Sequence, residues 1–191
     1  MSFPTADAPD RYRRLAARFT NIADAVPAAL WTRPSPCADW TALDVVSHVA
    51  TTQLDLLGRM AFSPDGLVGS VDMSDPLATW RTVQDLVQTA LDSPAQARCS
   101  YNGYFGPTTF AETISSFYNA DLVVHGWDVA QATGLTEHTA IEPAEMVRIR
   151  SDFEAYTEMI RMPGIFGPEH EVGPDATEQD RFLAWAGRRS M

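Results

Sequence analysis

Asp121-Leu-Val-Val-His125-Gly-Trp-Asp128 sets three polar side chains, of types that bind metal ions or move protons, into an otherwise apolar run. On a helix of about 3.6 residues per turn, His125 lies roughly 40° round from Asp121 and Asp128 roughly 20° to the other side. All three therefore share one face. Leu122, Val123, Val124, Trp127 and Val129 leave the segment apolar nearly all round, so that face is expected to be buried. An unpaired buried carboxylate costs several kcal/mol unless a cation or hydrogen bonds compensate it. A divalent metal would supply the cation. Asp121 and His125, four apart, can grip one ion from a single helix, and His48 on a facing helix can complete the set at the same depth. Two imidazoles and a carboxylate without thiolate suit zinc with an open fourth position, and also nickel, manganese or ferrous iron. The competing reading is a hydrogen-bonded pair, His125 with Asp121 or Asp128, that only shapes the core.

Those residues need two helices to present them. Thr41 with Asp44 has the form of a capping box, and Leu43, Val46, Val49, Ala50, Leu54 and Leu57 continue it as a buried stripe that takes in His48 and ends near Met60. Asp44 is accounted for by the cap. Thr109 with Glu112 opens a second helix that runs to Thr133, about 37 Å at 1.5 Å per residue, and Gly134 ends it. Two more amphipathic helices are expected, Asp10 to Leu30 and from Asp75-Pro76 to a stop at Pro94. Trp31 to Trp40 reads as an irregular connection, Phe62 to Ser74 as a loop, and Ala95 to Pro107 as an aromatic loop or short hairpin. Four long helices argue for an all-α four-helix bundle over about residues 8–134. A fifth helix from Pro143 to Arg161 and a short one from Glu178 to Ala186, capped by Thr177 and Asp180, are expected to pack on it, giving one domain over 1–191.

A net charge of -11 repels phosphate backbones and anionic membrane surfaces, which sets nucleic acid and membrane partners aside. Pro4, Asp7, Pro9 and Asp10 stand where a signal peptide needs an apolar stretch, so a soluble cytoplasmic protein is expected. Cys37 and Cys99 form neither a CxxC motif nor a disulfide framework, and the sequence around Cys37 offers no cation to activate it as a nucleophile. His138 and His170 fall in polar loops and read as exposed, without a role.

The order Pro36-Cys37-Ala38-Asp39-Trp40-Thr41, then His48, then Asp121-x-x-x-His125-x-Trp127-Asp128, resembles the DinB/YfiT-like superfamily. It is most similar to the actinobacterial branch that carries the metal-binding N-terminal domain of mycothiol-dependent maleylpyruvate isomerase. The tail, Phe166-Gly167-Pro168, Asp175-Ala176-Thr177, Arg181-Phe182-Leu183 and Gly187-Arg188, resembles a short, functionally uncharacterised group in that branch. The resemblance implies a DinB-like bundle in which His48, Asp121 and His125 hold a divalent metal, zinc first among the candidates. It also implies mycothiol or another low-molecular-weight thiol as cosubstrate, a small-molecule substrate, and, as in many relatives, a homodimer. The isomerase has Glu where this chain has Asp121, and 191 residues leave no length for its separate C-terminal domain, so maleylpyruvate isomerisation itself is not expected.

The reading that follows is a thiol-dependent S-transferase or isomerase in which a bound metal activates a thiolate, with Asp128 orienting an imidazole from behind. Two alternatives stand beside it. One is a hydrolase that uses metal-bound water. The other is a non-catalytic, metal-stabilised binding or stress-response module, with Tyr101, Tyr104, Phe105 and Phe117 enclosing a ligand.

Overall fold

The structure is a computed structural model that describes residues 5–62, 74–162 and 165–189. In chain order the elements are α1 (Ala8–Ala25), α2 (Ala42–Arg59), α3 (Pro76–Asp92), α4 (Pro94–Ala97), β1 (Ser100–Gly103) and β2 (Gly106–Thr109). They continue with α5 (Phe110–Thr113), a π-turn (Ile114–Tyr118), α6 (Asn119–Thr133), α7 (Pro143–Phe153) and α8 (Glu178–Trp185).

Helix α1 closes earlier than its apolar spacing suggests. Val26 precedes a proline, whose ring disfavours the helical conformation in its neighbour, and Val26 is extended (φ -72°, ψ 118°). Residues Ala28–Leu30 then make a separate 3-10 turn. Helix α2 starts on the capping box the sequence announces: Thr41 Oγ1 accepts from the Asp44 amide, and Asp44 Oδ2 accepts from the Thr41 amide at 2.8 Å. Asp75 caps α3 by accepting from the Ala78 amide. The expected loop over Phe62 to Ser74 lies mostly outside the described residues. Ala95 to Pro107 resolves into the short α4 and an antiparallel hairpin, with Ser100 opposite Thr109 and Gly103 opposite Gly106.

The long helix expected from Thr109 to Thr133 is continuous but not uniform. Residues Ile114–Tyr118 form a π-turn between α5 and α6, and the Ser115 carbonyl accepts from Nη1 of the buried Arg11. Helix α6 ends at Gly134 in the left-handed region (φ 72°), which glycine enters without steric cost.

Side-chain pairings fix the directions of the four long helices. Arg81 meets Asp24, Trp80 Nε1 donates to Thr20, and Arg13 reaches Asp92, so α3 runs against α1. Arg11 lies at Ser115, while Ile22 and Phe19 lie at Gly126, so α6 runs with α1. Tyr118 donates to the Thr52 carbonyl and His125 faces His48, so α2 runs against α6. The order is up, down, down, up.

One apolar cluster joins Tyr12, Phe19 and Ile22 of α1, Val46 and Leu57 of α2, Trp80 and Val83 of α3, and Leu122 and Val129 of α6. Ile149 and Phe153 of α7 and Phe182 and Leu183 of α8 belong to the same cluster. Its edge-to-face pair Phe19–Trp80 has centroids 5.0 Å apart, a geometry that contributes about 1 kcal/mol beyond burial. The buried Arg11 carries α7 onto α1, donating through Nε and Nη2 to Glu145 at 3.0 and 2.7 Å. Helix α7 stops at Phe153, and Glu154–Tyr156 and Met159–Arg161 are 3-10 turns rather than its expected continuation to Arg161. Among the described residues no helix is long and apolar enough to cross a membrane.

Candidate metal centre

Because α2 and α6 are antiparallel neighbours, His48 one turn and a half into α2 meets the middle of α6. Ligand-capable atoms of His48, Asp121 and His125 all lie within 4.8 Å of one another. The two imidazoles meet edge-on, with centroids 5.1 Å apart and planes at 72°. His125 is buried, whereas His48 and Asp121 are half-buried, which leaves the open side of the cluster toward solvent. Burial lowers the His48 pKa from its ordinary value of 6.5; the Asp121 charge opposes that shift, and His125 and Arg188 add to it. His48 is therefore a neutral, lone-pair-bearing imidazole at neutral pH, the form a metal needs. The Trp40 indole stands over both rings, at 4.8 Å from His48 and 6.1 Å from His125.

Asp128 lies on the other side of His125. It is fully buried, and its Oδ2 is 2.9 Å from His125 Nδ1. With Nδ1 donating to that carboxylate, Nε2 is the nitrogen left for an ion. Arg188, just beyond α8, supports Asp128: Nε donates to Oδ1 and Oδ2 at 3.1 and 3.2 Å, and Nη2 to Oδ2 at 2.8 Å. Burial raises the Asp128 pKa, but the Arg188 charge and the His125 hydrogen bond outweigh it and bring the carboxyl down to about 2. Asp128 is thus a permanent anion between a guanidinium and an imidazole.

Cys37, from the connection before α2, closes this second layer. Its Sγ donates to Asp128 Oδ2 at 3.3 Å and accepts from Arg188 Nη2 at 3.2 Å. The cation that meets Cys37 comes from Arg188, 151 residues further along the chain. Activation does not follow, because burial and the Asp128 charge push the thiol up to about 12 in spite of Arg188. Cys37, His125 and Asp128 also form a cluster of metal-capable groups, but the guanidinium lodged against all three occupies the place and the charge role of a cation.

Chemically, the set His48, Asp121 and His125 fits a divalent ion: one carboxylate and two imidazoles, one neutral by burial and one oriented from behind. Donors on a tetrahedral ion with bonds of about 2.0–2.2 Å lie roughly 3.4 Å apart, and these donors lie within 4.8 Å of one another, so no pair has further than roughly 1.5 Å to close. Below it, Tyr118 donates to the Thr52 carbonyl at 3.0 Å, and burial, helped by the Asp121 charge, raises its phenol and keeps it a donor. Asp44 stays in its cap, away from the cluster. His138 and His170 are half-buried rather than exposed, and neither belongs to a cluster of metal-capable groups among the described residues. Arg188 carries no signal near Asp128 in the sequence, since 60 residues separate them. Its one trace is the Gly187-Arg188 tail pattern.

Residues 12–72 match the family described as the mycothiol maleylpyruvate isomerase N-terminal domain. That segment contains Cys37, Trp40 and His48 and stops before Asp121. Two uncharacterized proteins of Mycobacterium tuberculosis, from two strains, are each 25% identical over 164 residues, covering 81% of this chain and 83% of theirs. No solved structure matches the chain significantly. The resemblance carried by the motifs and the match to the family therefore agree: over residues 12–72 this chain is similar to the mycothiol maleylpyruvate isomerase N-terminal domain, with actinobacterial relatives along most of its length.

Proposed function

We propose that this chain binds a divalent metal ion through His48, Asp121 and His125 and uses it to transfer or isomerise a small electrophilic substrate with a low-molecular-weight thiol of the mycothiol type. The observation that carries this reading is the convergence of three metal-type donors from two antiparallel helices at one half-open point. When bound, the ion would stabilise a thiolate and so lower a thiol pKa from about 8.5. Zinc is the first candidate and nickel, manganese and iron are the others, by donor type.

The residues of the chain do the rest. His48 stays neutral through burial, His125 is aimed by Asp128, and Asp121 contributes the negative charge that an imidazole ligand does not. Trp40 covers one side of the two rings. The protein's own thiol at this place, Cys37, is held protonated, which favours a thiol brought from outside.

The test uses untagged protein stripped of metal, titrated with zinc or nickel, and follows conversion of an electrophile with and without a low-molecular-weight thiol. Turnover that rises with metal occupancy and requires the thiol is the expected result. Metal-loaded protein that converts no electrophile in the presence of the thiol ends the proposal, and turnover without thiol would favour hydrolysis by metal-bound water.

A further inference from the structure

The turn after α8 carries Arg188 back into the bundle. Helix α8 closes with Gly187 in the left-handed region (φ 74°), the Gly187 amide donating to the Ala184 carbonyl and the Arg188 amide to the Leu183 carbonyl. This pair of bonds is the Schellman arrangement, which reverses the chain direction directly after a helix. A side chain at Gly187 has no room, because a Cβ there would stand 1.8 Å from the Phe166 carbonyl oxygen. Arg188, only 7% exposed, is aimed at the far face of His125. Its Nη1 is held by the Ala186 carbonyl at 2.9 Å, so the guanidinium is fixed at both ends.

We infer that Arg188 is a positioning residue for the metal centre: by gripping both oxygens of Asp128, it holds Oδ2 as the acceptor for His125 Nδ1–H and leaves the Nε2 lone pair to the ion. The inference rests on the metal-binding reading above. Oδ2 receives His125, Cys37 and Arg188, while Oδ1 is met by Arg188 Nε. Without the guanidinium, a fully buried carboxylate loses its charge partner, and an uncompensated buried charge is among the most destabilising changes a core can suffer. Rotation of the carboxylate toward water relieves it and breaks the bond to Nδ1. The imidazole proton is then free to reside on Nε2, where it blocks ligation. Ion binding and seating of the C-terminal segment thereby become linked, each strengthening the other by the same factor.

The experiment uses the full chain, metal-free and labelled with nitrogen-15 in its four histidines, comparing wild type, Arg188→Ala, Arg188→Lys and Asp128→Asn. Long-range proton–nitrogen correlations read the His125 tautomer, and competition with a chromophoric chelator reads zinc affinity. Wild type is expected to hold the proton on Nδ1. Arg188→Ala is expected to populate the other tautomer and to weaken zinc binding about 10- to 100-fold, the range for lost support behind a ligand. Arg188→Lys, which keeps the charge, should recover part of both. Arg188→Ala with the wild-type tautomer overturns the inference, as does an equal loss of affinity in both Arg188 variants with the tautomer unchanged. Because the tautomer is read without an ion, wild type that takes up no zinc counts against the metal reading alone.

Discussion

His125 meets two sets of partners: its Nδ1 is 2.9 Å from Asp128 Oδ2, and one of its ring nitrogens lies within 4.8 Å of ligand-type atoms of His48 and Asp121. Both contacts follow from spacing on α6, where Asp121 stands four residues before His125 and Asp128 three after it. That much was legible in the sequence, because helical spacing is local. Arg188 was not, because its contacts with Asp128 and Cys37 span 60 and 151 residues and depend on where α8 docks. Two predictions belong to single side chains. The Cys37 thiol, raised to about 12 by burial, should react with a disulfide reagent at pH 8 at least 10-fold more slowly than the exposed Cys99, as peptide mass spectrometry of partly labelled protein would show; equal labelling would contradict it. Asp128 sits at about 2 against an ordinary 3.8, so its contribution is fully present above pH 3.8 and is lost as pH falls toward 2. Asp128→Asn should therefore remove on the order of 2 kcal/mol of pH dependence from denaturant-measured stability between those limits. An unchanged acid limb would rule that out.

At the level of elements, starts were easier to read than interiors. Thr41 with Asp44, Thr109 with Glu112 and Thr177 with Asp180 each form the reciprocal cap that their four-residue pattern announces, since capping needs no tertiary partner. The π-turn at Ile114–Tyr118 left no such mark: its residues are compatible with an ordinary helix, and what accompanies it is a guanidinium from α1 at the Ser115 carbonyl. The break after Phe153 was hidden for a similar reason, because apolar spacing persists through Tyr156 and Ile160 while the backbone tightens into 3-10 turns. The structure gives the turn after α8 a specific demand. Gly187→Ala, which sets a Cβ against the Phe166 carbonyl in a left-handed backbone, should unseat the segment beyond α8 and weaken zinc binding through Arg188 by about 10-fold or more. Hydrogen exchange of residues 178–189 should rise in the same variant. Wild-type exchange and affinity together would show that the turn does not matter to the centre.

Across the whole molecule, the up, down, down, up order brings α2 and α6 together as antiparallel neighbours, and α1 and α3 complete the bundle behind them. The four-helix architecture and the added C-terminal helices were readable from periodicity and from the resemblance, because a chain with four apolar stripes has few ways to bury them. The direction of α3 was not, since parallel packing of α2 and α3 depends on pairings such as Arg81 with Asp24 and Thr20 with Trp80. The fold also makes the candidate centre a joint between distant parts of the chain: α2 gives His48, α6 gives Asp121, His125 and Asp128, the connection before α2 gives Trp40 and Cys37, and the C-terminus gives Arg188. An ion there would stabilise the native state in proportion to its free concentration, by about 2.7 kcal/mol at 100 times its dissociation constant.

The most direct test is therefore equilibrium zinc titration of untagged, metal-free protein against a chelator of known affinity, in wild type and in His48→Ala, Asp121→Ala and His125→Ala. The account predicts one zinc ion per chain in wild type and at least a 100-fold loss of affinity in each variant, with the fold retained by circular dichroism. Wild type that binds no zinc, or binding that survives all three substitutions, would contradict it.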